Sequence, residues 1–401
     1  MAAWVILSII CPIFALPTAF KGMRQDIRHW KLYAFLFAAF FGAIAYNYVP
    51  IIESDLTRYI AEAGKMQGKT LLSVMIADTE RLFVKDIWFW LIAQIGDYQL
   101  IPAISTFVVY YTGAYIAGYM AYSGGMEKVI HWQLMLLICA LDLTIVVNYV
   151  RNICAFAIVI LAFFKWRVEN RQKLLAFFLI IMGIFIHSTA IVLVLVLLLL
   201  PVIRRCFWQF LIGFLLAGNI INLLYQQLGG IGGNIVFDII SGIIYKAYQY
   251  FNGMVATEWA SQLNQSFTSQ AIKIFYLFVI TAIVVTYLVQ RYNQKGRSNL
   301  AVHPDFSNYI LMIGALSLGC IPVETPAYNR FYSAFILGSP VLLFELFYSK
   351  KINVKWLYLL SYIGIVKWLY SISYEIDLTK LAGIIMTNPV FMIIKWIFLE
   401  K

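Results

Sequence analysis

The sequence is poor in charge: Asp, Glu, Lys and Arg make up 12% of its 401 residues, about half the fraction of a soluble domain. Its five cysteines (Cys11, Cys139, Cys154, Cys206, Cys320) are scattered, with no Cys-x-x-Cys pair and no Cys/His cluster. Neither a disulfide framework nor a zinc site is indicated. There is no Asp-x-Asp pair, His-Glu-x-x-His, Gly-x-Ser-x-Gly or Walker motif, which argues against metal-dependent or nucleotide-sugar chemistry and leaves a membrane-embedded donor already activated by phosphate. The apolar runs are continuous rather than alternating, which excludes a β-barrel. The first apolar segment, Trp4 to Phe20, lacks a basic leader and a clear small-residue cleavage site, so it reads as a retained helix.

What is present is apolar. Hydrophobic residues make up 62% of the chain, the mean hydropathy is +0.82, and runs near the roughly 20 residues needed to cross a bilayer recur from end to end. The expected fold is all-α: a polytopic integral membrane protein with roughly 12–13 transmembrane helices forming a single transmembrane domain over 1–401. Two stretches allow more than one division: 87–120, a span with or without a short re-entrant helix, and 174–203, which reads as two short helices meeting near His187. The net charge of +11 does not require nucleic acid. More than half of the 30 Lys and Arg residues fall in short loops around 21–31, 128, 165–173, 204–205, 291–297 and 350–355, as the positive-inside rule expects of cytoplasmic loops. The opposite loops carry most of the acidic residues and include two long ones, at about 51–86 and 226–270. The first holds an amphipathic stretch near Leu71–Ile76, expected to lie on a membrane surface. The second combines glycines 229–233 with Tyr, Trp and amides, a composition suited to interfacial anchoring or to sugar contacts.

Arginines interrupt this apolar background. Arg58, Arg81, Arg151 and Arg330 sit at or near the ends of apolar segments, all on the external side by this topology. Arginine at membrane depth is costly and usually faces a cavity or a partner; four on one face would suit a diphosphate. In Asp55-Leu56-Thr57-Arg58-Tyr59, a helix would put Asp55 and Tyr59 on one face beside Arg58. Asp55 is then either a base or acceptor-orienting carboxylate held ionised by Arg58, or half of a surface ion pair. Arg151-Asn152 opens a helix, where the N-terminus already favours anions; the plain alternative is snorkelling to lipid headgroups. His187, in an otherwise apolar run, can donate to a phosphate or shuttle a proton, or simply be hydrogen-bonded in a bundle. Glu324, Arg330 and Tyr332 flank a Pro-rich turn re-entering the membrane, with Glu324 a second candidate carboxylate. Arg81 has acidic neighbours and can be paired with them. Asp142 is a candidate counter-ion to a nearby arginine.

The ordered set Asp55-x-x-x-Tyr59, Arg151-Asn152, His187-Ser188 and Asn329-Arg330-Phe331-Tyr332, spread over about 30–350, resembles the EpsG family, which belongs with the Wzy-type O-antigen and capsule polymerases of bacteria. The resemblance implies a GT-C-like architecture in the bacterial cytoplasmic membrane, with the active site on the external face. It implies a metal-independent glycosyltransferase without cofactor. Such an enzyme moves a growing glycan from undecaprenyl diphosphate to a lipid-linked repeat unit, so that undecaprenyl-diphosphate-linked oligosaccharide is both donor and acceptor. On this resemblance Asp55 and His187 are the catalytic pair, and Arg151 and Arg330 bind the donor diphosphate. The implied partners are membrane lipid, a chain-length regulator and a flippase. The expected substrate-binding group, on resemblance and charge together, is Arg58, Tyr59, Arg81, Arg151, Asn152, Glu324, Arg330 and Tyr332. The alternatives are a ligase or another polyprenyl-phosphate-dependent glycosyltransferase, a flippase or secondary transporter, and a membrane acyltransferase centred on His187. A transporter would be expected to show an internal repeat and charges at mid-depth.

Overall fold

A computed structural model describes residues 2–50, 54–228, 267–293, 302–320, 326–348 and 363–366. Among these residues all regular secondary structure is helical. Seventeen α-helices follow in chain order: α1 (Ala2–Ile10), α2 (Ala15–Gln25), α3 (Trp30–Tyr46), α4 (Asp55–Gly64), α5 (Leu71–Ala77), α6 (Phe83–Ile95), α7 (Leu100–Ser123), α8 (Glu127–Ala140), α9 (Leu143–Asn148), α10 (Val150–Arg167), α11 (Lys173–Ile186), α12 (Ala190–Arg205), α13 (Phe207–Leu215), α14 (Ala217–Leu228), α15 (Phe267–Asn293), α16 (Pro304–Gly319) and α17 (Pro326–Tyr348). Among the described residues three helices are long and apolar enough to cross a membrane: α7, and the stretches Ile274–Tyr292 of α15 and Ala327–Tyr348 of α17. The others are shorter or more charged; α10 has 18 residues but carries Arg151, Lys165 and Arg167.

Several breaks have local causes. The segment expected as one helix from Trp4 to Phe20 is two helices. Cys11 is extended (φ −137°) and the 3₁₀ turn Pro12–Phe14 begins with a proline, which lacks the N–H needed to continue the ladder of α1. The short-helix-plus-span reading of 87–120 is observed as α6 and α7, separated at Gly96 (φ +82°), a left-handed helix end that glycine adopts without strain. The pair of short helices meeting near His187 is observed as α11 and α12. Asp142 caps α9, its Oδ1 accepting from Thr144 N at 3.0 Å and Thr144 Oγ1 at 2.9 Å.

The chain divides into two compact units, one comprising 1–194 and 336–401, the other 195–335. In the first, α7 is the central post. Phe41 of α3 stacks on Tyr110 of α7 with centroids 3.8 Å apart. Ser105 of α7 donates to the Val150 carbonyl of α10 at 2.9 Å. Gly183 of α11 lets that helix close on α10: a Cβ there would lie 2.7 Å from Val159 Cγ2 and 3.1 Å from the Ala155 oxygen. Such small-residue contacts allow membrane helices to approach. In the second unit α13 packs on α16, where Gly319 meets the Phe214 carbonyl, and Arg204 is ion-paired with Asp305.

Candidate functional site

The site in the first unit is built on α4. Ser54 is its N-cap, its Oγ accepting from Thr57 N at 3.3 Å. Asp55 occupies the first turn, where the helix dipole favours a carboxylate. Leu56, Tyr59 and Ala63 face inward. Arg58 Nη2 reaches Asp55 Oδ1 at 2.9 Å with the Arg58 side chain 69% exposed, a surface pair of small energetic weight. The expected grouping of Asp55, Arg58 and Tyr59 on one helix is observed.

Arg151 is the second residue of α10 and is buried, its side chain 8% exposed. Its guanidinium carbon lies 4.9 Å from the centroid of the Tyr59 ring, and that of Arg58 lies 5.3 Å from the same ring. Tyr59 is therefore the hinge between α4 and the start of α10. Burial pushes the Tyr59 phenol upward, more than Arg151 pulls it down, so it stays protonated at neutral pH. Arg151 is not an empty cation. Its Nη2 donates to Glu80 Oε2 at 3.0 Å, and its Nη1 is 3.9 Å from Glu62 Oε2.

The centre of this network was missed from sequence. Lys85, at the start of α6, is 2% exposed at its side chain, and its Nζ lies 3.0 Å from Glu62 Oε1, 3.2 Å from Asp78 Oδ1, 3.6 Å from Glu80 Oε2 and 3.1 Å from Asp86 Oδ1. Burial works against the Lys85 ammonium, yet Glu62 and Asp86 outweigh it and hold its pKa above the usual lysine range. Asp86 is fully buried, with the Lys85 ammonium 3.1 Å from its Oδ1; burial raises its pKa despite Lys85. Asp78 goes the other way. Burial pushes it up, but the N–H groups of Leu82 and Glu80, with Lys85, bring it below the usual range. Those two bonds, 2.9 Å from Leu82 N and 3.1 Å from Glu80 N, also close the turn that presents Glu80 to Arg151. The available signal was spacing: Asp55, Tyr59 and Glu62 follow i, i+4, i+7 along one helix stripe, and Lys85-Asp86 stands directly before an apolar run.

Arg81 lies in that turn at φ +55°, exposed, with no ion-pair partner among the described residues. Asn152 is 1% exposed and ties the start of α10 to the α11–α12 junction: Thr189 Oγ1 lies 2.8 Å from Asn152 Oδ1 and 2.8 Å from His187 Nδ1. Thr189 N also donates to His187 Nδ1 at 3.2 Å. His187 is half-buried, two side chains from the helix end that carries Arg151. In the second unit, Arg330 is half-buried and stands one turn inside α17 rather than at its first residue. Tyr332 is fully buried and packs against Tyr276, centroids 4.2 Å apart. Glu324 lies outside the described residues.

The structure thus gathers Asp55, Arg58, Tyr59, Arg151 and Asn152, links His187 to them through Thr189, leaves Arg81 in solvent, and adds Glu62, Asp78, Glu80, Lys85 and Asp86. Chemically it offers a buried guanidinium at a helix N-terminus, a phenol donor, and carboxylates of which Glu80 is half exposed. Comparisons with protein-family models, with curated proteins and with solved structures gave no match.

Proposed function

We propose that the chain is a polysaccharide polymerase of the Wzy type, a polytopic protein of roughly 12–13 spans in the bacterial cytoplasmic membrane. On this reading it transfers glycan from undecaprenyl diphosphate to a lipid-linked repeat unit at the external face. The observation that carries the reading is Arg151: a buried arginine on a helix N-terminus, packed on Tyr59 beside the Asp55–Arg58 pair. A guanidinium fixed at a dipole's positive end stabilises charge that develops on a departing diphosphate. In the transfer the acceptor hydroxyl oxygen bonds to the anomeric carbon as the carbon–oxygen bond to the diphosphate breaks. The bonding pair leaves with the diphosphate, and the hydroxyl proton passes to Asp55. Glu80 is the ligand that Arg151 exchanges for the diphosphate; it is half exposed at its side chain, so it can turn to water while Lys85 keeps its other partners. The His187–Thr189–Asn152 chain sets the start of α10. The resemblance also gives Arg330 a role as a diphosphate ligand.

The test is the glycan banding pattern of a deletion strain complemented with Arg151→Ala or, separately, Arg330→Ala. Each variant is expected to shift long chains to single repeat units at normal protein level. Long chains retained in both would overturn the assignment. One observation favours a second reading, a flippase: Arg151 is already neutralised by carboxylates, as in the paired charges that line transport paths. Loss of all surface glycan, single units included, would select it.

A further inference from the structure

A cavity of about 680 Å³ lies at the other end of α10. It is walled by the beginning of α3, the last turns of α7 and the turn between α10 and α11. Its floor is aromatic. Trp30 meets Tyr115 edge-on at 4.6 Å and Tyr119 at 6.1 Å. Its rim is cationic: Arg28, Lys31 and Arg171 line it and are exposed. The acidic residue of the lining, Glu169, already faces a cation, with Lys165 Nζ 3.9 Å from its Oε1. Lys165 also donates to Tyr115 Oη at 2.8 Å and sits 4.4 Å from that ring's centroid. His29 of the lining is paired with Asp26 at 2.9 Å. None of the three rim cations forms an ion pair among the described residues, although the charge of Arg28 acts on nearby Asp26.

The backbone of the turn supports a binding role. Asn170 and Gln172, on either side of Arg171, both adopt positive φ, +51° and +53°, a conformation that costs a non-glycine residue free energy and that clusters at ligand sites. The turn is wound back on α10, Arg171 N donating to the Lys165 carbonyl at 3.3 Å and Glu169 N to that of Phe164 at 3.2 Å.

We propose that this cavity binds the phosphate of an anionic phospholipid headgroup, held by Arg28, Lys31 and Arg171, with the aromatic floor taking the glycerol and first acyl carbons. Cationic pockets between membrane helices take such headgroups, and aromatic rings suit the boundary between headgroup and acyl chain. The proposal is independent of the polymerase reading, because it shares no residue with the Arg151 network.

The test uses the purified full chain in a neutral detergent, with thermal unfolding followed as phosphatidylglycerol, phosphatidylcholine or inorganic phosphate is added. A ligand of the folded state raises the midpoint by mass action. Phosphatidylglycerol is expected to raise it and phosphatidylcholine not to. The double variant Lys31→Gln/Arg171→Gln is expected to weaken the phosphatidylglycerol response at least about tenfold. The exposed Arg167→Gln, outside the cavity, is expected to leave it unchanged. Equal responses to the two lipids, or a response undiminished in the double variant, would overturn the site. Full competition by inorganic phosphate at matched concentration would overturn the lipid source and assign the cavity to a free phosphate. Should the double variant not fold, the headgroup comparison on the natural chain decides.

Discussion

The two ends of α10 treat charge in opposite ways. At the start of the helix, Arg151, Lys85 and Arg58 stand among Asp55, Glu62, Asp78, Glu80 and Asp86, so carboxylates outnumber cations and Lys85 and Arg151 are buried. At its far end, about 21 Å along the axis from Arg151 to Lys165 at 1.5 Å per residue, Glu169 is set against Lys165 and Asp26 against His29, with Arg28, Lys31 and Arg171 exposed. In the sequence only the first of these reads as a place for an anion; the second reads as charge that sets topology. The difference is whether an anion enters by exchange or by simple attraction. On the proposed reading an anion at Arg151 must displace Glu80, which would make the site selective for a ligand that replaces both charge and geometry. At the rim it meets cations already exposed, which favours a headgroup held mainly by charge.

The comparison breaks most visibly at the lysines. Lys85→Met leaves Asp86 and the facing carboxylates with a buried negative charge and no ammonium, and breaking a buried pair from one side typically costs about 3–5 kcal/mol. Lys165→Met removes a lysine whose nearest carboxylate is 3.9 Å away and whose hydrogen bond goes to a phenol, so about 1 kcal/mol is expected. Denaturation midpoints of the two variants in detergent test this. Equal losses would mean that Lys85 is not the keystone of its cluster.

How much of this was legible follows the length scale of the signal. Local features were readable: the helix opened by Asp55, the entry of Arg151 at a helix start, and the break at His187 between two apolar stretches each depend on a few neighbouring residues. The bond of Arg151 to Glu80 joins positions 71 apart in sequence, and no pattern in a single chain announces it. Lys85 was passed over because one lysine before an apolar run reads as a boundary residue; only packing shows four carboxylates around its Nζ. The cavity beside Trp30 was read only as topology-setting charge, since Arg28 and Lys31 belong to one basic cluster and Arg171 to another, and only the fold brings them to one rim. The N-terminal segment was misread because apolarity continues straight through Pro12, where the helical ladder cannot.

A smaller effect separates the two aspartates beside Lys85. Asp78 has a folded pKa below its unfolded value of about 3.9. It therefore stabilises the fold above that value, and the contribution is lost as pH falls through the folded pKa. Asp86 has the opposite sign: its raised pKa means that ionising it opposes folding as pH rises through the folded value. Asp78→Asn is expected to cost about 1–2 kcal/mol at pH 7 by weakening two charge-assisted bonds, and to flatten the loss of stability below about pH 4. Asp86→Asn is expected to cost less at pH 7. Stability measured from pH 3 to 8 checks both, and the reverse order would show that Asp86, not Asp78, holds the turn.

The subtlest change converts one end of α10 toward the other. Glu80→Gln keeps an acceptor for Arg151 but removes the charge that an incoming anion must displace. Stability should fall by no more than about 1 kcal/mol, because the Glu80 side chain is half exposed and such pairs contribute little. Binding of inorganic diphosphate, followed by the shift of the unfolding midpoint, should tighten by about threefold to tenfold, the equivalent of roughly 1 kcal/mol of removed competition. The same diphosphate titration on Arg151→Gln should show no such gain. If Glu80→Gln binds diphosphate no better than the natural chain, then Glu80 is not what an anion displaces, and the carboxylates around Arg151 serve to tie α4 and α6 to the start of α10 rather than to hold its place for a ligand.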